Sequence, residues 1–450
     1  MKQHLSHYTI AVKLQAEENK HLLVHGYTGA IDIVDSSIVD AMNADDVTTT
    51  LSSEEISLLS QRGYLTEKTR DEEHSYVIRF ADLLHKANSK LFKTFGFVIT
   101  YNCNFRCPYC FENIISKNGE AWTKQTLTKE LVDKAYEAML KIEPHRELHG
   151  KEILLYGGEP LLRENHDIVS YIIAKGHKLG YTFRAITNGY DLDYYIDLLS
   201  QNYISRLQIS IDGFKDNHNK NKSHFIEGNS FEKVMSNIGL ALKNNVSVNV
   251  RINLGAENIA DLNILKQYFS DEGFLNYSNF SMYAAKIEQK SSENKNNKVE
   301  YLNNRQFNEA ITKSTSGIED IKKTQIVEMF KRYFSTRKKI HFTSVGCSGQ
   351  FGTYMFGPEG GIYTCFETVG KKEHCIGYYN DSELQWTPAK QMWFSKHVGN
   401  SEQCNKCRYA LLCGGSCAIK DFTNPCTKIC SRFKDLFNEA VNKAYNETKC

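Results

Sequence analysis

Cys103, Cys107 and Cys110 are the residues of this sequence whose type and spacing most clearly permit chemistry. In a reducing compartment, clustered cysteines bind metal or do redox chemistry more often than they form disulfides. Iron–sulfur clusters usually take four cysteine ligands, so three cysteines leave one iron open to a small molecule. A structural zinc site would require four protein ligands, and no fourth Cys or His lies nearby in sequence. The C-x3-C-x2-C spacing therefore favours an iron–sulfur cluster with one open iron.

Four further motifs follow these cysteines, each at the end of a predicted strand. They are Gly157-Gly158-Glu159-Pro160, Thr187-Asn188-Gly189, Ser210-Ile211-Asp212-Gly213 and Arg251. Glycines at such positions let backbone groups approach a ligand closely. Each motif alone is an ordinary strand end, but their order after C-x3-C-x2-C resembles the radical SAM superfamily.

This resemblance implies that S-adenosylmethionine (SAM) is chelated by the open iron of a [4Fe-4S] cluster through its amino and carboxylate groups. Electron transfer from the reduced cluster then cleaves SAM to methionine and a 5′-deoxyadenosyl radical, which abstracts a substrate hydrogen. That chemistry belongs to the cofactor, and the protein supplies orientation and exclusion of water.

The resemblance also assigns SAM contacts to residues of this sequence. Tyr109 matches the aromatic residue before the last cysteine of the family motif, and the backbone and carboxylate of the GGEP motif, with Glu159, receive the SAM amino group. Positions matching Asn188, Ser210 and Asp212 lie near the ribose and methionine parts of SAM. Arg251 is expected to pair with the SAM carboxylate.

The region after residue 340 holds ten of the thirteen cysteines. Its C-x2-C-x5-C-x3-C run, together with Gly360-Gly-Ile-Tyr-Thr-Cys365, resembles the SPASM extension of radical SAM peptide modifiers. That resemblance implies two auxiliary [4Fe-4S] clusters and therefore three clusters in all. The ligands of the first auxiliary cluster would be Cys347, Cys365 and Cys417. Those of the second would be Cys404, Cys407, Cys413 and Cys430. A zinc-knuckle-like tail is the alternative for this region taken alone.

The sequence does not identify the fourth ligand of the first auxiliary cluster. Some relatives place a fourth cysteine shortly after the position of Cys347, and residues 348–364 contain none. Either Cys375 or Cys426 completes the site, or one iron is left open for a substrate thiolate. Cys430 is preferred to Cys426 in the second cluster, because the C-x2-aromatic-Lys pattern that begins at Cys430 fits the closing cysteine of the family.

Residues 8–66 have the pattern of a small module. Strands are predicted at 8–14, 21–24 and 31–34, followed by a helix from Ser36 to Met42 and a second helix that ends at Gly63. Ser52 and Glu55 form the capping box of that second helix. The order is typical of a winged-helix module and resembles the PqqD-like element of ribosomal-peptide maturases, which captures a leader peptide as an added strand. A generic cap over the barrel is the alternative, and the charged stretch 67–73 is expected to mark the module's edge.

From residue 95 the pattern changes to strands that alternate with amphipathic helices. The predicted strands cover residues 95–101, 152–156, 182–187, 206–211, 246–252 and 279–287. Six such units predict an α/β fold, a partial (β/α)6 TIM-like barrel with the chemistry at the carboxyl ends of its strands. Residues 307–335 are predicted to be helical. The expected domains are 1–90 for leader recognition, 91–300 for the barrel, 301–340 for a helical bridge and 341–450 for the Cys-rich SPASM domain.

Composition excludes several classes of function. The chain has 450 residues, of which 41% are hydrophobic, and a formal net charge of +2. This charge does not indicate nucleic-acid or membrane binding, and no apolar run approaches the length of a membrane span. No apolar signal segment begins the sequence, so we expect a cytoplasmic protein.

The sequence therefore favours a radical SAM maturase that forms thioether crosslinks in a cysteine-containing precursor peptide, of sactipeptide or ranthipeptide type, bound through its leader. Residues 363–370 look like the corresponding stretch of such maturases. Other C–C or C–O crosslinking of a precursor is not separated from this hypothesis by any residue. The resemblance to this family also implies an electron donor of flavodoxin or ferredoxin type.

Two other functional hypotheses are less favoured. Anaerobic sulfatase maturases, which form formylglycine, carry an aspartate as general base after the cysteine that matches Cys365, and here that position is Phe366. An aromatic side chain cannot take a proton, although Glu367 could substitute for the aspartate. A non-enzymatic iron–sulfur carrier or peptide adaptor would need neither the three-cysteine site nor the barrel.

Overall fold

A computed structural model describes residues 3–110, 124–288, 300–314, 316–415, 417–423, 430 and 432–449. The strands in these ranges are β1 His4–Leu5, β2 Thr9–Lys13, β3 Lys20–His25, β4 Ile31–Asp35, β5 Leu65–Thr66, β6 Thr94–Val98, β7 Glu152–Tyr156, β8 Thr182–Thr187, β9 Ile204–Ile211, β10 Ser247–Leu254, β11 Phe280–Lys286, β12 Thr353–Phe356, β13 Gly361–Tyr363, β14 Gly377–Tyr378 and β15 Gln385–Trp386. The helices are α1 Ser36–Met42, α2 Ser53–Arg62, α3 Arg70–Asn88, α4 Lys129–Ile142, α5 His166–Lys178, α6 Lys215–Asn221, α7 Phe231–Lys243, α8 Asp261–Asp271, α9 Asn304–Lys313, α10 Ile321–Thr336, α11 Pro388–Phe394, α12 Ala410–Cys413, α13 Ala418–Thr423 and α14 Phe433–Lys449.

The chain divides into two compact units. Unit 1 comprises Met1–Leu91, Lys322–Phe351 and Trp393–Cys450, and unit 2 comprises Phe92–Ile321 and Gly352–Met392. Each unit therefore draws on sequence from both the first and the last third of the chain. The four consecutive domains expected from the sequence stay a prediction.

Unit 1 contains a three-stranded antiparallel sheet in the order β2-β3-β4. Side chains alternate along these strands, and Ile10 and Leu22 join one buried apolar cluster. Phe437 and Val441 of α14 belong to the same cluster. Because a fully buried apolar side chain contributes about 1.5–3 kcal/mol, this cluster fixes the sheet within the unit.

The two short helices after the sheet begin and end as predicted. The N–H group of Ser52 donates to the Glu55 carboxylate at 2.8 Å, and the Ser52 hydroxyl accepts from the Glu55 N–H at 3.3 Å. Gly63 ends α2 with a φ of 91°, a left-handed conformation that glycine adopts without strain. The strand β5 follows, and it pairs with β1.

The charged stretch 67–73 leads into the 19-residue helix α3, which the sequence pattern did not predict. Thr69 and Glu72 form a second capping box at the start of this helix. The Thr-x-x-Glu signature of that box lies inside a run of charges, which conceals it. The edge of the module at this stretch stays a prediction.

The predicted helical stretch 307–335 consists of two helices. Helix α9 ends at Lys313 and α10 starts at Ile321, with Gly317 between them at a φ of 70°. A glycine in this left-handed conformation interrupts a helix, which explains the break.

Unit 2 is built on a sheet whose six strands β6 to β11 are parallel and adjacent in chain order. Helices lie in the crossovers, except between β8 and β9, where the described residues form no α-helix. The α/β class with a parallel, partially closed barrel is therefore confirmed. Along β9 the side chains of Leu207, Ile209 and Ile211 are buried, whereas Gln208 and Ser210 are half-buried. At β9, one face of the sheet is thus apolar and the other polar.

The sheet continues beyond its first strand in a way that the sequence did not predict. Strand β12 pairs in parallel with β6, and β13, β14 and β15 follow as antiparallel neighbours. Cys365 comes two residues after the end of β13, so the extended sheet positions this cysteine. In the described part of the chain, no helix is long and apolar enough to cross a membrane.

Candidate functional site

The loop of Cys103, Cys107 and Cys110 follows β6 at the carboxyl ends of the parallel strands, where such sheets place their chemistry. All three thiols are half-buried. The Phe105 N–H donates to the Cys103 sulfur at 3.4 Å, and the Cys110 N–H donates to the Cys107 carbonyl at 3.2 Å. The sequence-predicted cysteines thus share one short, internally bonded loop.

The electrostatics of this loop are those of a buried anionic site. Burial, followed by the Glu159 carboxylate and the Cys107 thiol, raises the pKa of the Cys103 thiol well above its usual value. Burial also raises the pKa of Cys107, while the cation of Lys222 opposes that rise. Thiolates in such a place need positive partners, which the iron ions of a cluster and the Lys222 ammonium would supply.

The Gly157-Gly158 turn packs against the residues that lead into this loop. A Cβ on Gly157, whose φ is 148°, would lie 2.3 Å from the Thr100 oxygen, and a Cβ on Gly158 would lie 2.3 Å from the Asn102 oxygen. Without side chains, the turn instead donates the Gly158 N–H to Thr100 at 2.9 Å and the Glu159 N–H to Asn102 at 2.8 Å. The glycines therefore serve backbone–backbone packing between two strand-end loops.

The Glu159 carboxylate binds the next strand end. It accepts from the Thr187 hydroxyl and the Asn188 N–H, both at 2.6 Å, and from the Leu161 N–H at 2.9 Å. The side chain is 2% exposed, and burial raises its pKa to about 7. The contact of Glu159 with the SAM amino group stays a prediction, and its described bonds hold the GGEP turn to Asn188.

Asn188 completes the connection back to the cysteines. Its amide donates to the Asn104 side chain at 2.7 Å and lies 4.0 Å from the Cys103 sulfur. Pro160 contributes through its carbonyl, which accepts from Asn165 at 3.3 Å. The second and third strand ends are therefore joined to the cysteine loop by direct bonds.

The fourth and fifth strand ends contact Tyr109. The Tyr109 hydroxyl donates to the Asp212 carboxylate, and the Asn253 amide donates to the same carboxylate at 3.1 Å. Asp212 is fully buried, and burial raises its pKa, opposed by Lys222. Arg251 lies opposite Ser210 in the sheet register and donates to Asn253 at 2.9 Å. All the predicted SAM contacts thus lie at one end of one sheet, and their contact with SAM remains a prediction.

Three residues of this site were missed or misjudged in the sequence. Lys222 is 6% exposed, and burial alone would lower its pKa, but the Cys107 thiol and the Asp212 carboxylate outweigh burial and raise it. His218, which belongs to no motif of the sequence, is fully buried in α6 and accepts the Asp212 N–H at 3.4 Å. Burial lowers the pKa of His218 to about 3, so it is neutral. Asn253 carried no signal beyond its place two residues after Arg251.

The cysteines predicted for the second auxiliary cluster all lie in unit 1. Cys404, Cys407 and Cys413 are half-buried and Cys430 is exposed. Burial raises the pKa of the Cys430 thiol, and the Cys407 and Cys404 thiols act in the same direction, which places the three within electrostatic reach of each other. Cys426 lies outside the described residues.

The cysteines predicted for the first auxiliary cluster are divided between the units. Cys347 and Cys417 are exposed residues of unit 1, and Cys365 is a half-buried residue of unit 2. Cys375 is 2% exposed, belongs to an apolar cluster with Tyr363 and donates its thiol to the Gly377 carbonyl at 3.1 Å. That environment is typical of a core thiol rather than of an iron ligand.

Phe366 has a defined environment at the barrel mouth. Its ring centroid lies 5.2 Å from that of Tyr156, and it packs against the apolar cluster that contains Leu154 and Tyr363. The position that carries a general base in the sulfatase-maturase pattern is thus filled here by an aromatic packing contact.

The donor set has the chemistry that an iron–sulfur cluster requires. Three thiols on one loop, with a buried cation beside them, offer sulfur ligands and charge compensation. No group of three or more Cys, His, Asp or Glu side chains that could hold one metal ion occurs among the residues described.

Comparisons with known proteins agree with this chemistry. Residues 97–268 match the family model of the Radical SAM superfamily. An S-adenosylmethionine-dependent nucleotide dehydratase of Fibrobacter sp. (strain UWH6) is 26% identical over 157 residues, which cover 34% of this chain and 45% of the dehydratase. The chain thus spans less than half the length of that relative. A cysteine-type anaerobic sulfatase-maturating enzyme of Clostridium novyi (strain NT) is 22% identical over 368 residues, 76% of this chain and 93% of that enzyme.

Two solved structures share the fold. Native anSMEcpe with bound AdoMet and Cp18Cys peptide superposes with a TM-score of 0.57 at 16% identity, covering 80% of this chain and 98% of that one. SuiB of Streptococcus suis bound to the precursor peptide SuiA gives a TM-score of 0.51 at 12% identity, covering 94% of this chain and 97% of SuiB. At these identities the likeness concerns the fold.

Proposed function

We propose that this chain is a radical SAM enzyme with SPASM-type architecture, and that it installs thioether crosslinks in a ribosomally made precursor peptide. In each crosslink a cysteine sulfur would bond to a carbon of an acceptor residue in the same peptide. A peptide substrate is supported by the two structural relatives, both of which were solved with peptides bound. The SuiB superposition also extends over 94% of this chain, including most of its N-terminal module.

The observation that best supports binding of a leader peptide is the outer edge of β4. The His25 N–H donates to the Ala30 carbonyl at 2.9 Å and the Ser36 N–H to the Asn19 carbonyl at 2.8 Å, which fixes the bonded register between β3 and β4. Alternation then directs the backbone groups of Ile33 away from β3. Ile33 itself is 43% exposed.

The Ile31 carbonyl on this edge already accepts from the Tyr333 hydroxyl at 2.9 Å and from the Arg62 guanidinium at 3.3 Å. An extended leader can therefore add to this edge as a fourth strand at Ile33, beyond Ile31.

The opposite edge of the same sheet is already covered. The Asn442 amide of α14 donates to the Lys13 carbonyl at 3.1 Å, and its oxygen accepts the Gln15 N–H at 2.7 Å. Strand addition at β2 would break these bonds. We therefore assign the leader to β4.

The cofactors follow from the donor set. Cys103, Cys107 and Cys110 would hold the SAM-binding [4Fe-4S] cluster, and the C-terminal cysteines would hold two auxiliary clusters. When bound and reduced, the cluster with SAM supplies a radical that abstracts a hydrogen atom from a carbon. An electron donor of flavodoxin or ferredoxin type would provide the reducing electron.

The chain's own residues would orient the reactants. Glu159 and Asn188 hold two strand-end loops against the cysteine loop, which fixes the direction of its thiols. Tyr109 and Asp212 close the site from the other side through a buried bond. Arg251 and Ser210, on the polar face of the sheet, would take the charged end of SAM. Such preorganisation lowers the cost of reaching a reactive geometry.

The balance of the crosslinking step defines the product. The acceptor carbon loses a hydrogen atom, the peptide thiol loses a proton, and one electron must leave as the C–S bond forms. The peptide therefore loses two hydrogens per crosslink. The C-terminal cysteines are the residues that would hold an acceptor for that electron.

Formylglycine formation is the second candidate, favoured by the likeness to the sulfatase-maturating enzyme of Clostridium novyi. Phe366 argues against it, because its ring packs on Tyr156 and cannot accept a proton. A C–C or C–O crosslink is the third candidate. It would remove two hydrogens as well, but it would leave the peptide cysteine free.

The test uses the anaerobically reconstituted full chain, reduced in the presence of SAM and short cysteine-containing peptides encoded beside its gene. Mass spectrometry follows 5′-deoxyadenosine and peptide mass. Loss of two hydrogens with a cysteine resistant to alkylation supports the thioether, and the same loss with an alkylatable thiol moves the assignment to another crosslink. Absence of 5′-deoxyadenosine from iron-replete protein would contradict the proposal as a whole.

A further inference from the structure

The first residues of the N-terminal module contact the loop between Cys404 and Cys407, nearly four hundred residues later in sequence. The Tyr8 hydroxyl donates to the Asn405 carbonyl at 2.7 Å. The His7 ring nitrogen donates to the Lys406 carbonyl at 2.9 Å. Two consecutive side chains therefore bind two consecutive carbonyls within the Cys-x-x-Cys segment.

Arg408, just after the segment, binds the module in return. Its guanidinium donates to the Thr9 carbonyl at 3.1 Å. A Cβ added to Gly26 would lie 2.2 Å from the Arg408 carbonyl oxygen. Module and loop thus meet backbone against backbone, with no room for a side chain at Gly26.

Tyr8 is the buried centre of this contact. Its side chain is 1% exposed and packs at 5.3 Å, centroid to centroid, edge-on against Tyr27. The same apolar cluster contains Val77 and Val398, and both Cys404 and Cys407 pack against it. Tyr8 and the two half-buried cysteines are thus parts of one apolar contact.

A buried carboxylate fixes the segment that carries Tyr8. Glu73 of α3, 1% exposed, accepts from the Ser6 hydroxyl at 2.5 Å, the His7 N–H at 3.0 Å and the Tyr27 hydroxyl at 3.0 Å. Ser6 in turn accepts the Tyr8 N–H at 3.1 Å. The Tyr8 backbone is therefore held independently of the loop that its hydroxyl binds.

We infer that Tyr8 is a positioning residue for the second auxiliary cluster, which it holds through the Asn405 carbonyl. The inference rests on the proposed ligands Cys404, Cys407, Cys413 and Cys430. A hydrogen bond to a carbonyl fixes the plane of the peptide and so the direction of the amide that follows it. Hydrogen bonding and solvent exposure around cysteine ligands set the reduction potential of a cluster. The N-terminal module is thus part of the cluster site as well as the place of the leader.

The test compares two conservative variants of the anaerobic, iron-loaded full chain, Tyr8→Phe and Tyr64→Phe. Tyr64 is an equally buried tyrosine of the same module, but its hydroxyl binds the Leu23 carbonyl and Asp32 rather than the cysteine loop. Electron paramagnetic resonance during a redox titration reads each cluster. The signal of the second auxiliary cluster is identified as the one lost in the Cys404→Ala/Cys407→Ala variant.

We expect Tyr8→Phe to shift the potential of that signal upward, since a looser loop admits water that stabilises the more negative reduced cluster. Tyr64→Phe should leave the potential unchanged. Equal potentials in the two variants would overturn the role of Tyr8 while leaving the cluster in place. Unchanged iron content in Cys404→Ala/Cys407→Ala would overturn both the cluster and this inference. His7→Ala removes a second, exposed contact to the loop, so a shift there in the same direction gives support that does not depend on core packing.

Discussion

The loop of Cys103–Cys110 and the loop of Cys404–Cys407 both present half-buried thiols, but they are held by different means. The first is fixed by its neighbours in a parallel sheet, through the Gly158 backbone and the Asn188 side chain. The second is fixed by a module from the other end of the chain, through Tyr8 and an apolar cluster. One loop is therefore built from strand ends, and the other from a contact between distant parts of the sequence.

The difference bears on the two kinds of chemistry proposed. A loop surrounded by Glu159, Asp212 and Lys222, all of them buried, has an environment that tunes charge at a reaction centre. At the second loop, Cys404 and Cys407 pack against Tyr8 and the apolar cluster around it. Such surroundings suit electron transfer, in which the protein sets a potential and excludes water.

The most severe prediction separates the loops by function. Alanine replacement of Cys103, Cys107 and Cys110 should reduce 5′-deoxyadenosine to background, because the proposed cluster would lose all its protein ligands. The Cys404→Ala/Cys407→Ala variant should still cleave SAM while losing crosslinked peptide. Quantitative chromatography of deoxyadenosine together with peptide mass measures both. Crosslinked peptide from the first variant would end the radical mechanism.

The next prediction concerns backbone packing under the first loop. In Gly158→Ala the new Cβ would lie 2.3 Å from the Asn102 oxygen and 2.7 Å from the Tyr101 oxygen, neither of which can move without its strand end. We expect overpacking to cost about 1–3 kcal/mol of stability and the displaced loop to lose about 100-fold in SAM cleavage. Denaturant unfolding and deoxyadenosine rates check the two effects.

A matched glycine controls for this substitution. A Cβ on Gly239 of α7 would lie 3.5 Å from the Phe274 ring, an ordinary contact. Gly239→Ala should leave SAM cleavage unchanged and stabilise its helix by about 0.5–1 kcal/mol. Equal losses in the two variants would show that the Gly158 turn has no special tie to the cysteine loop.

The arrangement of the first cysteine loop and its neighbours could be predicted from the sequence, and the reason is physical. Parallel strands end at one edge, so motifs at successive strand ends must meet, and the strands at 152–156 and 182–187 have the predicted bounds. Sequence reasoning failed on His218 of the polar helix α6 and on Lys222, the residue after that helix, because their burial depends on packing rather than on pattern.

The second region was harder for a different reason. Cysteine spacing predicts ligands, but no local pattern predicts that Tyr8 meets Asn405 across nearly four hundred residues. Helix α3 was missed although its capping box is in the sequence, and β12 to β15 are too short to show a strand period. A single sequence does not predict contacts between residues that lie far apart along the chain.

A third prediction concerns how the folding stability depends on pH through one histidine of the N-terminal module, His25. His25 accepts the Thr28 N–H at 3.2 Å and meets Ser6 at 3.0 Å, and burial lowers its pKa to about 3. In the unfolded chain the His25 imidazole binds a proton near pH 6.5, whereas in the folded chain it stays neutral down to about pH 3. The free energy of unfolding therefore falls as the pH falls between these values. The advantage of wild type over His25→Gln should therefore shrink by about 2 kcal/mol from pH 6.5 to 4.5.

Urea unfolding at the two pH values measures this change. His341→Gln, at an exposed histidine of the same unit, should show a constant difference from wild type. A constant difference for His25→Gln as well would mean that His25 does not fold in its neutral form.

The smallest predicted effect tests whether stability and SAM cleavage are separable in the second region. Thr69 and Ser52 cap α3 and α2 with the same capping box, but only α3 carries Glu73 and Val77 into the surroundings of Tyr8. Thr69→Ala and Ser52→Ala should each cost about 1 kcal/mol, because each leaves one helix-terminal N–H without its side-chain acceptor. Neither should change deoxyadenosine formation, since the first cysteine loop belongs to the other unit. Loss of SAM cleavage in Thr69→Ala at unchanged iron content would contradict the separation, and it would mean that α3 supports both loops.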